Sequence, residues 1–208
     1  NNVTATLSLL DAMVAAEIPY FIFSSTAAVY GNPEYTPIDE NHPKNPISPY
    51  GRSKWMVEQI LEDYCQAYGL KSVSLRYFNA AGADPEGELG ERHEPETHLI
   101  PLVVKAALGT RDKVMIYGND YDTKDGTCIR DYIHVDDLAS AHLSCLEYLK
   151  ENKSATFNCG YGHGYSVIVI IEVVKKVSGI NFKVEITDRR LGDPAVLLTD
   201  NRKILKMT

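Results

Sequence analysis

The sequence predicts an α/β fold: a doubly wound, largely parallel sheet with a smaller lobe attached. Three observations carry this. Short apolar runs of strand length alternate with longer segments of helical periodicity. Two early strand-like runs end in small polar groups, Ser24-Ser25-Thr26 and Asn79, where a parallel sheet would face a ligand crevice. After residue 79 the connections lengthen, which predicts the lobe.

Each element has its own signal. Val3, Leu7, Leu10 and Met13/Val14 form one stripe, so a first helix runs to about Ala16. Pro19 breaks it, and Tyr20–Phe23 is a short buried strand. The stretch Gly31–Pro49, with prolines at 33, 37, 43 and 46, reads as loop. Ser48 suits an N-cap and Pro49 the first helical position, where a missing N–H costs nothing. Val57, Ile60, Leu61 and Tyr64 continue that helix and Gly69 ends it. Ser72–Asn79 is the next strand. Residues 80–98 form a loop rich in Gly, Pro and Glu, long enough to be functional. A helix over Leu99–Leu108, a strand over Val114–Tyr117, a polar stretch 118–128 and an extended Arg130–Val135 follow. Asp136 is placed to cap a helix to about Lys150. Thr156–Cys159 is a strand, Ser166 caps a helix over 167–178, and Val184–Ile186 is a strand. Asp188–Asp193 is loop, and Asp200 is placed to cap a last helix.

Composition excludes several classes of function. A hydrophobic content of 44% with 24% charged residues is that of an ordinary soluble globular protein. The net charge of −7 argues against a nucleic-acid surface or an anionic-membrane surface. It leaves room for a local basic pocket. The longest apolar run, Val167–Ile171, is too short to span a bilayer. Cys65, Cys128, Cys145 and Cys159 form no C-x-x-C pair and no zinc spacing, which predicts free thiols, a cytoplasmic setting and no metal.

The stretch S-P-Y-G-R-S-K at 48–54 puts Tyr50 and Lys54 one helical turn apart, on one face. With 13 tyrosines and 13 lysines in the chain, chance alone gives roughly one such pair, so the context decides. A free tyrosine has a pKa near 10, and a resting phenolate at pH 7 needs about 4 kcal/mol of help. A lysine ammonium within about 4–6 Å lowers such a pKa by roughly 1–3 units. A Ser or Thr hydroxyl, here Thr26, can then orient a substrate hydroxyl or relay its proton. The set suits proton transfer coupled to hydride transfer.

S-S-T-A-A-V-Y-G at 24–31 followed by S-P-Y-G-R-S-K resembles the extended short-chain dehydrogenase/reductase family of nucleotide-sugar enzymes. R-Y-F-N-A-A-G-A (76–83), H-L-I-P (98–101), the run from Tyr117 to Ala139 and R-R-L-G-D (189–193) are similar to its UDP-hexose 4-epimerase branch, and the likeness covers essentially the whole chain. The resemblance implies a Rossmann-like sheet that lacks its N-terminal glycine-rich units. Residues 1–79 would be the C-terminal half of the NAD-binding domain, with the catalytic helix. Residues 80–208 would be mainly the UDP-sugar lobe, with some elements returning to the sheet and a truncated C-terminus.

The implied activity is NAD-dependent epimerisation at C4 of a UDP-hexose through a transient 4-keto sugar. Tyr50 would take the proton of the sugar 4-hydroxyl, Lys54 would depress its pKa and hold the nicotinamide ribose, and Thr26 would assist. Asn1, Ser24, Tyr77 and Phe78 would lie near NAD. Asn79, His98 and Leu99 would meet the UDP-sugar, and Met115, Ile116 and Tyr117 would flank the uracil. Arg130 and Arg190 would clamp the diphosphate, with Arg189 solvated, and Asp193 would meet a ribose hydroxyl. A homodimer is implied for the full-length protein, and the 208-residue chain alone is expected to bind NAD poorly and to be inactive.

Three rivals are weighed on residues. A 4,6-dehydratase needs an Asp-Glu pair after the threonine, where Ala27-Ala28 stand. A 4-epimerase of another UDP sugar, an N-acetylhexosamine, pentose or uronate, stays open, because the position expected to set pocket size falls near Val196 without a bulky tyrosine. A non-catalytic module on the same fold is disfavoured by the retention of Thr26, Tyr50 and Lys54 together. The glycine-rich C-G-Y-G-H-G-Y-S (159–166) lacks the third glycine of a dinucleotide fingerprint and reads as a loop of the smaller lobe.

Overall fold

The computed structural model describes residues 2–151, 153–190 and 192–207. Helix α1 (Asn2–Ala15) leads into strand β1 (Tyr20–Ser24), a 3-10 turn (Ala27–Val29), helix α2 (Pro49–Tyr68) and strand β2 (Lys71–Tyr77). Helix α2 starts and stops where its caps demand. Ser48 Oγ accepts the Gly51 N–H at 3.0 Å, Pro49 occupies the first turn, and Gly69 closes the helix at φ 72°, a left-handed conformation that glycine adopts freely. After helix α4 (Val135–Glu151), strand β6 (Ala155–Cys159) returns beside β2, so the first sheet runs β1-β2-β6, all parallel.

Both faces of this sheet are covered by helices. Tyr20 and Ile22 of β1 and Val73 and Leu75 of β2 pack with Cys145 and Leu149 of α4. Phe21 and Phe23 point the other way, to Leu10 and Met13 of α1 and Val57 and Leu61 of α2. Period-two alternation along each strand thus feeds two cores, which is the doubly wound arrangement the sequence predicts.

The expected strand over 72–79 is two strands. β2 ends at Tyr77, and β3 (Asn79–Ala81) pairs in parallel with β5 (Ile129–His134) in a second sheet. At the switch, the Phe78 N–H bonds the Cys159 carbonyl at 3.2 Å. β5 also pairs antiparallel with β7 (Gly164–Ser166) and in parallel with β9 (Val196–Leu197), two short strands without a sequence signal of their own. Strand β4 (Lys113–Tyr117) pairs in parallel with β8 (Lys183–Thr187), and helices α3 (Leu99–Ala107) and α5 (Val167–Ser178) cover this pair through Val103, Ile116, Ile171 and Phe182. Ser166 caps α5 as expected, accepting the Val169 N–H at 3.2 Å.

Two expected caps move. Helix α4 begins at Val135, so Asp136 sits inside its first turn, where its N–H bonds His134 Nδ1 at 3.2 Å. In helix α6 (Arg202–Leu205) the N-cap place belongs to Asn201; Asp200 instead accepts the Arg202 N–H at 3.1 Å and pairs with its guanidinium. The four cysteines are free thiols, and among the described residues no helix is long and apolar enough to cross a membrane.

The glycine-rich loop after β6 does hold an anion, but an internal one. The N–H groups of Tyr161 and Gly162 donate to the Asp131 carboxylate, each at 2.9 Å, and Thr199 N–H adds a third bond at 3.1 Å. Asp131 is fully buried, and burial raises its carboxyl above the ordinary range against the pull of these three donors.

Leu75 is completely buried in the middle strand of the first sheet, against α4. Leu75→Ala should cost about 2–5 kcal/mol, read from the urea midpoint at unchanged slope.

Candidate active site

β1 and β2 run in parallel with Ser24 opposite Leu75, β2 extending two residues further, so the Ser24-Ser25-Thr26 turn and the Tyr77–Asn79 bend open at the same edge of the sheet. Helix α2 starts beside that edge. Gly51, between Tyr50 and Lys54, is what lets it come so close: a Cβ there would lie 2.5 Å from the Ala28 carbonyl oxygen. Any side chain at 51 would push the helix off the 3-10 turn that follows Thr26.

The approach brings the three expected catalytic side chains together. Thr26 caps the 3-10 turn, its Oγ1 accepting the Ala28 N–H at 3.1 Å. Tyr50 is half-exposed; burial raises its phenol above the usual value, and a hydrogen bond from Thr26 lowers it part of the way back. Lys54 Nζ donates to the Ser24 carbonyl at 2.9 Å and stands 5.8 Å from the centre of the Tyr50 ring. The Lys54 ammonium also lies over the Phe23 ring at 4.8 Å, and burial lowers its own value.

A cavity of about 1350 Å³ opens beside this cluster. Thr26, Tyr50, Tyr77, Phe78, Asn79, His98, Leu99, Met115, Tyr117, Arg130, Arg190 and Asp193 all line it. Lys54 and Ser24 do not line it; they sit behind Tyr50 and Thr26, where the Ser24 hydroxyl lies 3.2 Å from His142 Nε2. Two further expectations change. The Ile116 side chain turns into the core with Val103 and Phe182, since alternation along β4 presents only its neighbours Met115 and Tyr117 to the cavity. Val196 is tied into β9 against Ile129 and lies outside the cavity lining, so it does not set the pocket's size. Asn1 lies outside the described residues.

Three arginines, Arg111, Arg130 and Arg190, line the cavity together with the carboxylates of Asp84, Glu91, Asp136 and Asp193. Arg130 is held rigidly: its guanidinium donates to the Ile129 and Pro194 carbonyls at 2.9 and 2.8 Å and pairs with Asp193 at 3.2 Å. Arg190 stacks over the Tyr117 ring at 3.7 Å, a flat arrangement that leaves its edge free to donate. Arg189 stacks on Tyr121 and pairs with Asp120 on the surface. A third guanidinium, Arg111, lines the cavity too. Sequence reading missed it because it stands in the turn before β4, outside every recognised motif. It also missed Asp131, whose carbonyl oxygen accepts the Asn79 amide at 2.7 Å and so fixes that side chain at the cavity wall.

What could be held here follows from the donors. An ammonium has three N–H bonds to give, and among the described residues Lys54 gives one, to Ser24. The rest suit sugar hydroxyls, so the site fits the ribose of a dinucleotide. At the cavity rim His93, Glu96 and His98 have ligating atoms within 4.8 Å of one another, but Glu96 Oε1 is already engaged by the N–H groups of Thr97 and His98 and by His98 Nδ1.

Comparison with known proteins agrees with this geometry. The model of the NAD dependent epimerase/dehydratase family matches residues 1–160. A UDP-glucose 4-epimerase of Rhizobium meliloti is 53% identical over 204 residues, which cover 98% of this chain and 62% of that protein. The crystal structure of the UDP-glucose 4-epimerase from Brucella ovis in complex with NAD superposes with a TM-score of 0.97 at 50% identity, over all of this chain and 64% of the other. The UDP-Glc/GlcNAc 4-epimerase of Campylobacter jejuni superposes at 0.84 with 53% identity, over all of this chain and 64% of that one. The chain thus spans a little under two thirds of the length of these relatives, and it belongs to the NAD dependent epimerase/dehydratase family.

Proposed function

We propose that the protein carrying this chain is an NAD-dependent UDP-glucose 4-epimerase, interconverting UDP-glucose and UDP-galactose. The observation that carries the reading is the meeting of Thr26 and Tyr50 at one edge of a cavity whose walls bear three arginines, with Lys54 behind them on the Ser24 carbonyl. A sugar C4 hydroxyl at that edge would meet the Tyr50 phenol, with the Thr26 hydroxyl beside it. NAD⁺, when bound, supplies the hydride acceptor and returns the hydride. Lys54 would hold the nicotinamide ribose from below. Because burial raises the phenol in this chain, a further positive charge close to Tyr50 is needed before it can serve as a base at neutral pH.

The nucleotide end follows from charge and shape. Arg130 and Arg190 would grip the diphosphate, where a planar guanidinium can donate two parallel bonds, with Asp193 placed for a ribose hydroxyl. Met115 and Tyr117 would flank the uracil, and Asn79, His98 and Leu99 would meet the sugar. In this reading residues 1–79 with the returning β6 form the cofactor half, and most of 80–208 forms the sugar lobe. A cytoplasmic homodimer is part of the same proposal, supported by Leu9 on α1 and Met56 on α2, each about half-exposed. Ala27-Ala28 carry no acid or base, which disfavours elimination of water. Activity on a UDP-N-acetylhexosamine as well is favoured by one observation, the 53% identity to a relative named for both sugars.

The test uses the protein extended to the full length of its relatives, and it should interconvert UDP-glucose and UDP-galactose and retain NAD. Tyr50→Phe should lower kcat by about 10²–10⁴-fold with little change in KM. Unchanged turnover would remove Tyr50 from the mechanism. Arg190→Ala should weaken UDP binding by about 10–100-fold in calorimetry, the loss of one charge-assisted contact. Unaltered affinity would place the diphosphate elsewhere.

A further inference from the structure

Helix α2 carries a third polar residue on the stripe that begins with Tyr50 and Lys54. Glu58 stands one further turn along and is 3% exposed. The three side chains reach three consecutive residues of the chain leaving β1. Tyr50 meets the Thr26 hydroxyl, Lys54 donates to the Ser24 carbonyl, and the Glu58 carboxylate accepts the Ser25 hydroxyl. Ser25 is fully buried, and its backbone N–H is tied to the Leu75 carbonyl at 2.8 Å.

Glu58 is itself fixed from behind. Arg76 on β2 donates Nε to both its oxygens at 3.0 and 3.1 Å, and a second guanidinium nitrogen completes the pair. Arg76 also donates to the Tyr30 hydroxyl at 2.9 Å, and Tyr30 donates to Asn158 Oδ1 at 2.6 Å on β6. The carboxylate that receives Ser25 is thus anchored to the middle strand and to the returning strand.

We propose that Glu58 and Ser25 are positioning residues for the catalytic turn: the buried Ser25–Glu58 bond sets the height at which Thr26 and the Ser24 carbonyl face Tyr50 and Lys54. This deepens the epimerase reading and rests on it for its kinetic consequence. Without that bond Ser25 would be held only through its backbone N–H, and displacement of a reacting group by an ångström is costly in rate.

Ser25→Ala tests it cleanly. The substitution removes the hydroxyl with almost no change in volume and leaves Glu58 paired with Arg76. Leu61→Ala, on the same helix but in the apolar core with Leu10 and Val57, serves as the control for lost stability. In the full-length protein Ser25→Ala should lower kcat by about 10–100-fold with KM nearly unchanged, and should move the alkaline rise of the pH profile upward, because Thr26 then supports the phenolate less well. Lys54 and Tyr77 are the other ionisable groups facing Tyr50, and neither is altered. Leu61→Ala should lower the melting temperature but keep kcat and the profile. Parental kinetics in Ser25→Ala, or the same change in Leu61→Ala, would overturn the proposal. Should the parent fail to interconvert the sugars, the functional reading fails. The positioning role is then judged by NMR of ring-labelled tyrosine alone: the Tyr50 titration midpoint should rise in Ser25→Ala and stay put in Leu61→Ala, and a midpoint unmoved in both would refute it.

Discussion

The buried pair between Glu58 and Arg76 is the contact around which the rest is arranged. Both side chains are 3% exposed, and together they join α2 to β2 on the face of the sheet opposite α4. Taking two charges out of water costs more than their attraction returns unless every remaining donor and acceptor is satisfied. Here each guanidinium nitrogen and both carboxylate oxygens have a partner. Ser25 and Tyr30 take up outer positions and Tyr30 passes on to Asn158, so the pair is a node in a bonded network. Such a node adds little net stability over well-packed apolar residues, yet removing one partner costs about 3–5 kcal/mol. Its effect is to specify one register between helix and sheet, and the register decides what Tyr50 and Lys54 touch.

That register needs the closeness that Gly51 permits. Helix α2 enters through Ser48 and Pro49, passes the Ala28 carbonyl at a distance no side chain at 51 would tolerate, and then lays Tyr50, Lys54 and Glu58 along the end of β1. Capping, a missing Cβ and a buried ion pair, three unrelated local devices, all agree on one placement. Agreement of this kind across levels is what gives a sequence a single structure.

Much of this was legible in the sequence because it rests on local signals. Ser48-Pro49, Gly69 and Ser166 mark helix ends by their own chemistry, and the apolar period separates strands from helices. What escaped depends on partners far along the chain. Ser72, Ser74 and Arg76 of β2 are polar yet buried, because α2 covers that side and brings a carboxylate with it. The passage from β2 to β3 at Phe78 is invisible because strand-forming residues continue through it while the pairing partner changes from β6 to β5. Ile116 was misread for lack of a face: in β4 only the partners decide which alternate residues turn inward. Asp131 follows Arg130 in β5, but successive residues of a strand point to opposite sides. Its true partners are N–H groups from residues 161, 162 and 199, which no local pattern could associate with it.

The electrostatics of Tyr50 follow from the same geometry. An ammonium lowers the pKa of a phenol through proximity to its oxygen, and Lys54 approaches the ring while its own bond goes to the Ser24 carbonyl. Held there, it is a fixed half-buried cation with donors left over for hydroxyls. Burial raises the Tyr50 phenol and the Thr26 hydroxyl relieves it in part. In the proposed reaction, a base that is weak until a positive charge and a sugar hydroxyl arrive together would not abstract protons idly. Coupling its ionisation to occupancy of the site would make proton transfer conditional on the presence of both the hydride acceptor and the alcohol.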